Sequence, residues 1–143
     1  MMRPTRSTVS SEDRHLFDAM LDELIAALPS HLHDLLEEVP LIVEDEPGLA
    51  LLDDLDMDPR QTELCGLHWG VALTDRSVLH SGHMPDRMML FRGPIMRMAG
   101  YRRQSRSHRQ VEALREQIRI TLLHEIGHHF GLDEDDLAAL GYD

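Results

Sequence analysis

Apolar side chains recur at every third or fourth position near the end of the chain, which is the spacing of a helix with one buried face. They are Val111, Leu114, Ile118, Leu122, Ile126 and Phe130. Ser107, followed three residues later by Gln110, has the pattern of a helix N-cap. Gly131 can take the left-handed conformation that ends a helix. The sequence therefore predicts a helix over about 108–130 and fixes which of its faces meets the core.

The last two turns of this predicted helix carry the pentapeptide H-E-I-G-H. His124 and His128 fall on one face, largely off the apolar stripe, so both imidazoles can reach one ion. Glu125 projects beside them, where it can accept a proton from an attacking water. Two neutral imidazoles, a third protein ligand and one open position form a set that suits zinc. The alternative is that both are ordinary surface or core histidines.

A run of acidic residues follows the helix, from Asp133 to Asp136. Because Gly131 is predicted to end the helix and turn the chain back, these carboxylates can approach the same ion. The residues alone therefore supply candidates for a third ligand without choosing among them.

The segment from His124 to Asp136, HEIGHHFGLDEDD, resembles the small bacterial zincin-like metallopeptidases called minimal zincins. Their motif is H-E-x-x-H-H-F-G followed by an acidic residue three positions after the glycine. A weaker likeness extends over roughly 14–140. It rests on Leu28-Pro29 at the end of a first helix, Gly66-Leu67 before an aromatic residue and Gly70, and Pro85-Asp86-Arg87 before an apolar strand.

The resemblance implies a zinc-dependent metallopeptidase that hydrolyses a peptide or protein substrate. It implies that His124 and His128 bind zinc and that Glu125 is the general base. The acid three residues after Gly131 would be the third ligand, and here it is Glu134. Since aspartate is usual at that position in the family, Asp133 stays open as the alternative ligand.

His129 follows the second histidine but lies about 100° round the helix from it. It is expected either to contact and orient the metal ligands without binding the metal, or to donate a hydrogen bond to the substrate oxyanion. Two other functions stay open. One is a non-catalytic zincin-like protein that binds zinc or a peptide, since so short a chain has few residues to build a substrate cleft. The other is a metal-free interaction module.

The remaining patterns predict an α+β fold in a single domain over 1–143, with 1–9 as a frayed tail. Ser10 or Ser11 is predicted to cap a first helix, and Pro29 is predicted to end it. Strands are predicted at 39–43, 68–73 and 86–91, and shorter helical segments at 31–37 and 49–55. The glycines around the second strand indicate a bulge or a close backbone approach. Gly93-Pro94 is predicted to end the third strand, and 95–101 is ambiguous.

In the zincin-like arrangement that the resemblance implies, a small mixed or antiparallel sheet packs on the first helix and the histidine helix. One edge strand, either 68–73 or 86–91, would bind an extended peptide beside the metal.

Composition narrows the partners and the compartment. The net charge of −12 argues against nucleic acid as a partner. No apolar run approaches the roughly twenty residues of a membrane helix, and no secretory signal is visible near Met1, so neither a membrane nor export is expected. The single cysteine, Cys65, fits a reducing cytoplasm and is expected to be a buried, unreactive thiol. The sequence leaves the oligomeric state unknown.

Overall fold

A computed structural model describes residues 9–58, 63–69, 87–103 and 107–139. Over these ranges the structure has two long helices, with three strands and three short helices between them, and a sixth helix after the second long one. The elements are α1 (Ser11–Ala26), α2 (Ser30–Glu38), β1 (Leu41–Glu44), α3 (Leu49–Asp54), β2 (Gly66–Trp69), β3 (Arg87–Phe91), α4 (Arg92–Met98), α5 (His108–Phe130) and α6 (Glu134–Ala139).

The two long helices begin where the sequence predicts. The Ser10 side chain accepts a hydrogen bond of 3.1 Å from the backbone N–H of Asp13, and α1 starts at the next residue, Ser11. The Ser107 side chain accepts one of the same length from the backbone N–H of Gln110 at the start of α5. Each cap satisfies a backbone donor that the first helical turn leaves without an intrahelical partner. The predicted helix over 108–130 is therefore confirmed.

The described strands form one mixed sheet in the order β1-β3-β2. β1 runs parallel to β3, with Ile42 opposite Met89, and β2 runs antiparallel to β3, with Leu67 opposite Met89. The α+β prediction with a small mixed sheet is confirmed. The first predicted strand is shifted, because β1 begins after Pro40, which lacks the N–H that a strand ladder uses. The second begins earlier than predicted, at Gly66, and positions 70–73 lie outside the described residues.

β3 is the central strand, so the prediction that 86–91 could be the substrate-binding edge is wrong. Both sides of β3 are hydrogen-bonded to neighbours. Met88 to Phe91 are all buried, which explains their continuous apolar run. Among the strands that the structure describes, β1 and β2 are the edges.

The ambiguous segment at 95–101 is helical as far as Met98. α4 begins at Arg92, directly after the strand, and Gly93-Pro94 lies in its first turn instead of in a loop. Proline is tolerated there because its missing N–H would have no intrahelical acceptor. The N–H of Gly93 donates instead to the carbonyl of Asp45 at 2.8 Å, which joins the start of α4 to the end of β1.

The apolar stripe of α5 is the centre of the core. α5 packs against α1, α4, β2 and β3. Its buried side chains include Leu114, Ile118, Leu122 and Ile126, and they share one cluster with Phe17 and Leu21 of α1, Leu90 of β3 and Ile95 of α4. Burying each such side chain contributes about 1.5–3 kcal/mol. The helix that carries the histidines is therefore held rigidly by its other face.

Two groups of ion pairs brace the strand ends around α4. Arg92 donates to both carboxylate oxygens of Asp18 at 2.9 Å and to Asp45 at 3.0 Å. Arg97 forms a bidentate pair with Glu46, at 2.7 and 2.9 Å, and also donates to Glu63. Since Glu63 lies three residues before β2, the second group fixes the start of that strand to α4 and to the end of β1.

Three further expectations can be compared with the described residues. Positions 1–8, most of the predicted tail, lie outside them, and Val9 packs against the core. Burial, and secondarily the charge of Glu63, raise the pKa of the half-buried Cys65 thiol to about 11, so this thiol is protonated and unreactive at neutral pH. Within the described ranges, no helix combines the length and the apolar character that crossing a bilayer requires.

Candidate metal centre

The structure brings His124 and His128 together on the exposed face of α5. Their Nε2 atoms are 2.8 Å apart, and the ring centroids are separated by 4.4 Å. Four helical residues are slightly more than one turn, so the two side chains lie one above the other. The structure therefore places both imidazoles on one face of α5, and metal binding by the pair stays a prediction.

This pair suits a divalent cation. Loss of solvent around the ring, and secondarily the neighbouring His124, lower the pKa of His128 and so favour the neutral imidazole that a metal ligand requires. In a tetrahedral zinc site with Zn–N bonds of about 2.0–2.1 Å, two ligand nitrogens lie about 3.3 Å apart. The observed 2.8 Å is shorter than this separation and suits a hydrogen bond between the two rings. The donor set therefore fits zinc.

Glu125 is next to the pair but is buried. Only 7% of its surface is exposed, and burial raises its pKa to about 7. Among the residues that the structure describes, no cationic side chain forms an ion pair with this carboxylate. A carboxylate that is shielded from solvent and has a pKa near 7 has the properties of a general base.

Gly66, the first residue of β2, forms one wall around Glu125. A Cβ atom at this glycine would lie 2.8 Å from Cγ of Glu125, closer than such atoms approach in proteins. The sequence indicated a close backbone approach in this region, but it did not identify Glu125 as the partner. The two residues are far apart in the chain, and spacing along the sequence carries no signal for such a contact.

The acidic run begins with a reciprocal cap on α6. The Asp133 carboxylate accepts a 2.7 Å hydrogen bond from the backbone N–H of Asp136, whose carboxylate accepts one of 3.0 Å from the N–H of Asp133. Glu134 is the first residue of α6, and its side chain lies outside the described residues. Among the side chains that are described, no third histidine, cysteine, aspartate or glutamate joins the pair.

Gly131 supplies the turn that the sequence predicted between the helix and these acids. Its φ of 68° is left-handed, and its N–H donates to the carbonyl of Gly127. The N–H of Leu132 donates to the same carbonyl at 2.7 Å. The chain therefore leaves α5 sharply, and α6 packs back against α5.

His129 is buried, unlike the two paired histidines, which are exposed. Its side chain is fully buried, and its ring contacts the ring of Phe130 edge-on, with the centroids 4.4 Å apart. Both predicted roles of His129, a hydrogen bond to the oxyanion and support of the metal ligands, stay predictions. The burial of His129 suits a residue that orients the metal ligands without binding the metal.

Comparison with known families gives one result that covers the site. The sequence model of a family described as zincin-like metallopeptidase matches residues 36–142, which include the three strands, both paired histidines, Glu125 and α6. A search among curated proteins found no match. Since the matched range is well over half of the chain, the protein belongs to the zincin-like metallopeptidase family.

Proposed function

We propose that this protein is a zinc-dependent peptidase whose general base is Glu125. One observation carries the proposal: a buried glutamate with a pKa raised to about 7 is adjacent in sequence to an imidazole whose Nε2 lies 2.8 Å from that of a second. Membership of the zincin-like metallopeptidase family supports a hydrolase that uses a metal.

His124 and His128 would hold the ion, with Glu134 as the third ligand. Asp133 is less suited to that role, since one of its carboxylate oxygens already caps α6. When bound, zinc polarises the scissile carbonyl and lowers the pKa of water from 15.7 to about 7.

Glu125 has two successive tasks in this proposal. Its carboxylate accepts the proton of the attacking water and then delivers it to the nitrogen of the leaving amine. Burial between α5 and β2 suits both tasks, because a pKa near 7 allows the group to gain and lose a proton at neutral pH.

An extended peptide is the substrate form that the sheet favours. β2 is an edge among the described strands, and its first residue contacts Glu125. A peptide that adds to this edge by backbone hydrogen bonds would pass beside the histidine pair. We therefore assign substrate binding to the predicted strand at 68–73, which the structure begins at Gly66.

The test measures zinc and turnover separately. We expect about one zinc per chain in the purified protein. We also expect the protein to cleave peptides in an unbiased mixture, with the products detected by mass spectrometry. A chelator should abolish the cleavage, and added zinc should restore it. Zinc binding without cleavage would instead support the non-catalytic zincin-like protein. If zinc neither binds nor raises the unfolding temperature, the metal-free interaction module is the better description.

A further inference from the structure

We propose that Gly66 is a positioning residue for Glu125, because the missing side chain at the start of β2 determines where the glutamate carboxylate lies. The proposal rests on the proposed function for its catalytic consequence. The contact that it depends on is independent of that function, since it is a property of the metal-free chain.

At Gly66 there is no room for a side chain between β2 and α5. A Cβ atom at Gly66 would lie 2.8 Å from Cγ and 3.1 Å from Cδ of Glu125, and 3.2 Å from the carbonyl oxygen of Met89 on β3. The first distance requires something to move. The Met89 carbonyl belongs to the central strand, so the movable partner is the Glu125 side chain.

β2 cannot easily withdraw to make room. Gly66 is paired with Leu90 in the antiparallel ladder, and the residue before it accepts a 2.8 Å hydrogen bond from the N–H of Phe91. Three residues before Gly66, Glu63 is held by Arg97, which is itself paired with Glu46. The strand is therefore tied to the sheet and to α4 at its start.

The backbone of α5 cannot withdraw either. Leu122 and Ile126, which lie on either side of Glu125 in the sequence, belong to the closed core. An added methyl group at Gly66 would consequently turn Glu125 about its own side-chain bonds and shift the carboxylate. Misplacing a catalytic group by about 1 Å can cost about 10²-fold in rate.

Gly66→Ala tests this inference, with Gly48→Ala as the matched control because a Cβ atom at Gly48 would meet nothing within 4 Å. We expect Gly66→Ala to lower kcat at least tenfold while KM and zinc content change less than twofold. Gly48→Ala should leave all three within twofold. An unchanged kcat in Gly66→Ala, or an equal loss in Gly48→Ala, would overturn the proposal.

A second readout needs neither zinc nor turnover. Urea unfolding of the chelated protein is measured for Gly66→Ala with Glu125 present and in the Glu125→Ala background, where the crowded Cγ is absent. We expect a clear fall in the unfolding midpoint in the first case and a much smaller one in the second. If Gly66→Ala folds only in the Glu125→Ala background, this result also supports the proposal, because removing the Glu125 side chain then relieves the destabilisation.

Equal destabilisation in both backgrounds, or failure to fold in both, would show that Gly66 does not act through Glu125. The two measurements also separate the two proposals. If the wild-type protein cleaves no peptide, the proposed peptidase fails, and the unfolding comparison alone decides whether Gly66 positions Glu125.

Discussion

Replacing Glu125 by glutamine is expected to lower peptide hydrolysis by a factor of about 10²–10⁴, the contribution of a well-placed general acid–base. Glutamine keeps the size of the side chain and its contact with Gly66, but it cannot accept the proton. Since neither histidine is altered, zinc content should stay at about one per chain. The measurement is kcat/KM on a cleaved peptide together with metal analysis of the same sample.

The matched control is Glu116→Gln on the same helix. Glu116 is exposed and, among the described residues, its ion pair is with Arg119 three residues along, at 3.1 Å, so its loss should leave activity within twofold. Activity retained in Glu125→Gln would remove Glu125 from the mechanism, whatever the zinc content.

The same substitution should stabilise the metal-free protein at high pH. The pKa of Glu125 is about 7 in the folded chain against an ordinary value of 4.5. The contribution of the neutral carboxyl group to the free energy of unfolding is therefore complete below about pH 4.5 and is lost as the pH rises through about 7. Glutamine does not ionise, so above pH 8 the variant should gain up to about 3 kcal/mol over the wild type, and the difference should vanish near pH 4.5.

Urea unfolding in the presence of a chelator measures this difference across the pH range. A gain of the same size at every pH would mean that improved packing, and not the ionisation of Glu125, is responsible. Together the two effects would show that the chain keeps a destabilising buried carboxylate because the reaction uses it.

The sequence predicts most reliably what depends on local contacts. α5 follows from a 3.6-residue period, a serine at Ser107 and a glycine at Gly131, and each of these signals acts within one or two turns of the helix. The same local geometry places His124 beside His128 without any knowledge of the fold.

What the sequence misses depends on residues that are far apart in the chain. The central position of β3 depends on pairing with both β1 and β2, and its apolar run alone is also compatible with an edge. Gly93-Pro94 has the composition of a turn, yet the carbonyl of Asp45 satisfies the N–H of Gly93 and allows a helix to begin there. The contact of Gly66 with Glu125 likewise exists only once β2 lies on α5.

The third ligand falls between these two cases. The turn at Gly131 is local, so the sequence predicts it, and it leads to a reciprocal cap between Asp133 and Asp136. This cap makes Glu134 the first residue of α6. Which carboxylate reaches the ion depends on a side chain outside the described residues, so the assignment of Glu134 stays a prediction.

Removing either histidine of the pair is expected to abolish zinc binding. Removing a residue that hydrogen-bonds to a metal ligand already lowers metal affinity about 10–100-fold. Removing a ligand itself, by His124→Ala or His128→Ala, should therefore lower zinc affinity more than about 100-fold. Both side chains are exposed, and each replacement should change the free energy of unfolding of the chelated protein by less than about 0.5 kcal/mol. In the wild type, free zinc at 100 times its Kd should add about 2.7 kcal/mol, and in either variant that gain should disappear.

His108→Ala supplies the control for this pair. His108 is an exposed histidine at the opposite end of α5, so its replacement should leave the zinc-induced gain in stability intact.

The same measurement on Glu134 and Asp133 separates the two candidate third ligands. Glu134→Gln should lose most of the gain, whereas Asp133→Asn, which can still cap α6, should keep it. The reverse result would transfer the third ligand to Asp133, and a gain that survives every one of these substitutions would place the zinc site elsewhere in the chain.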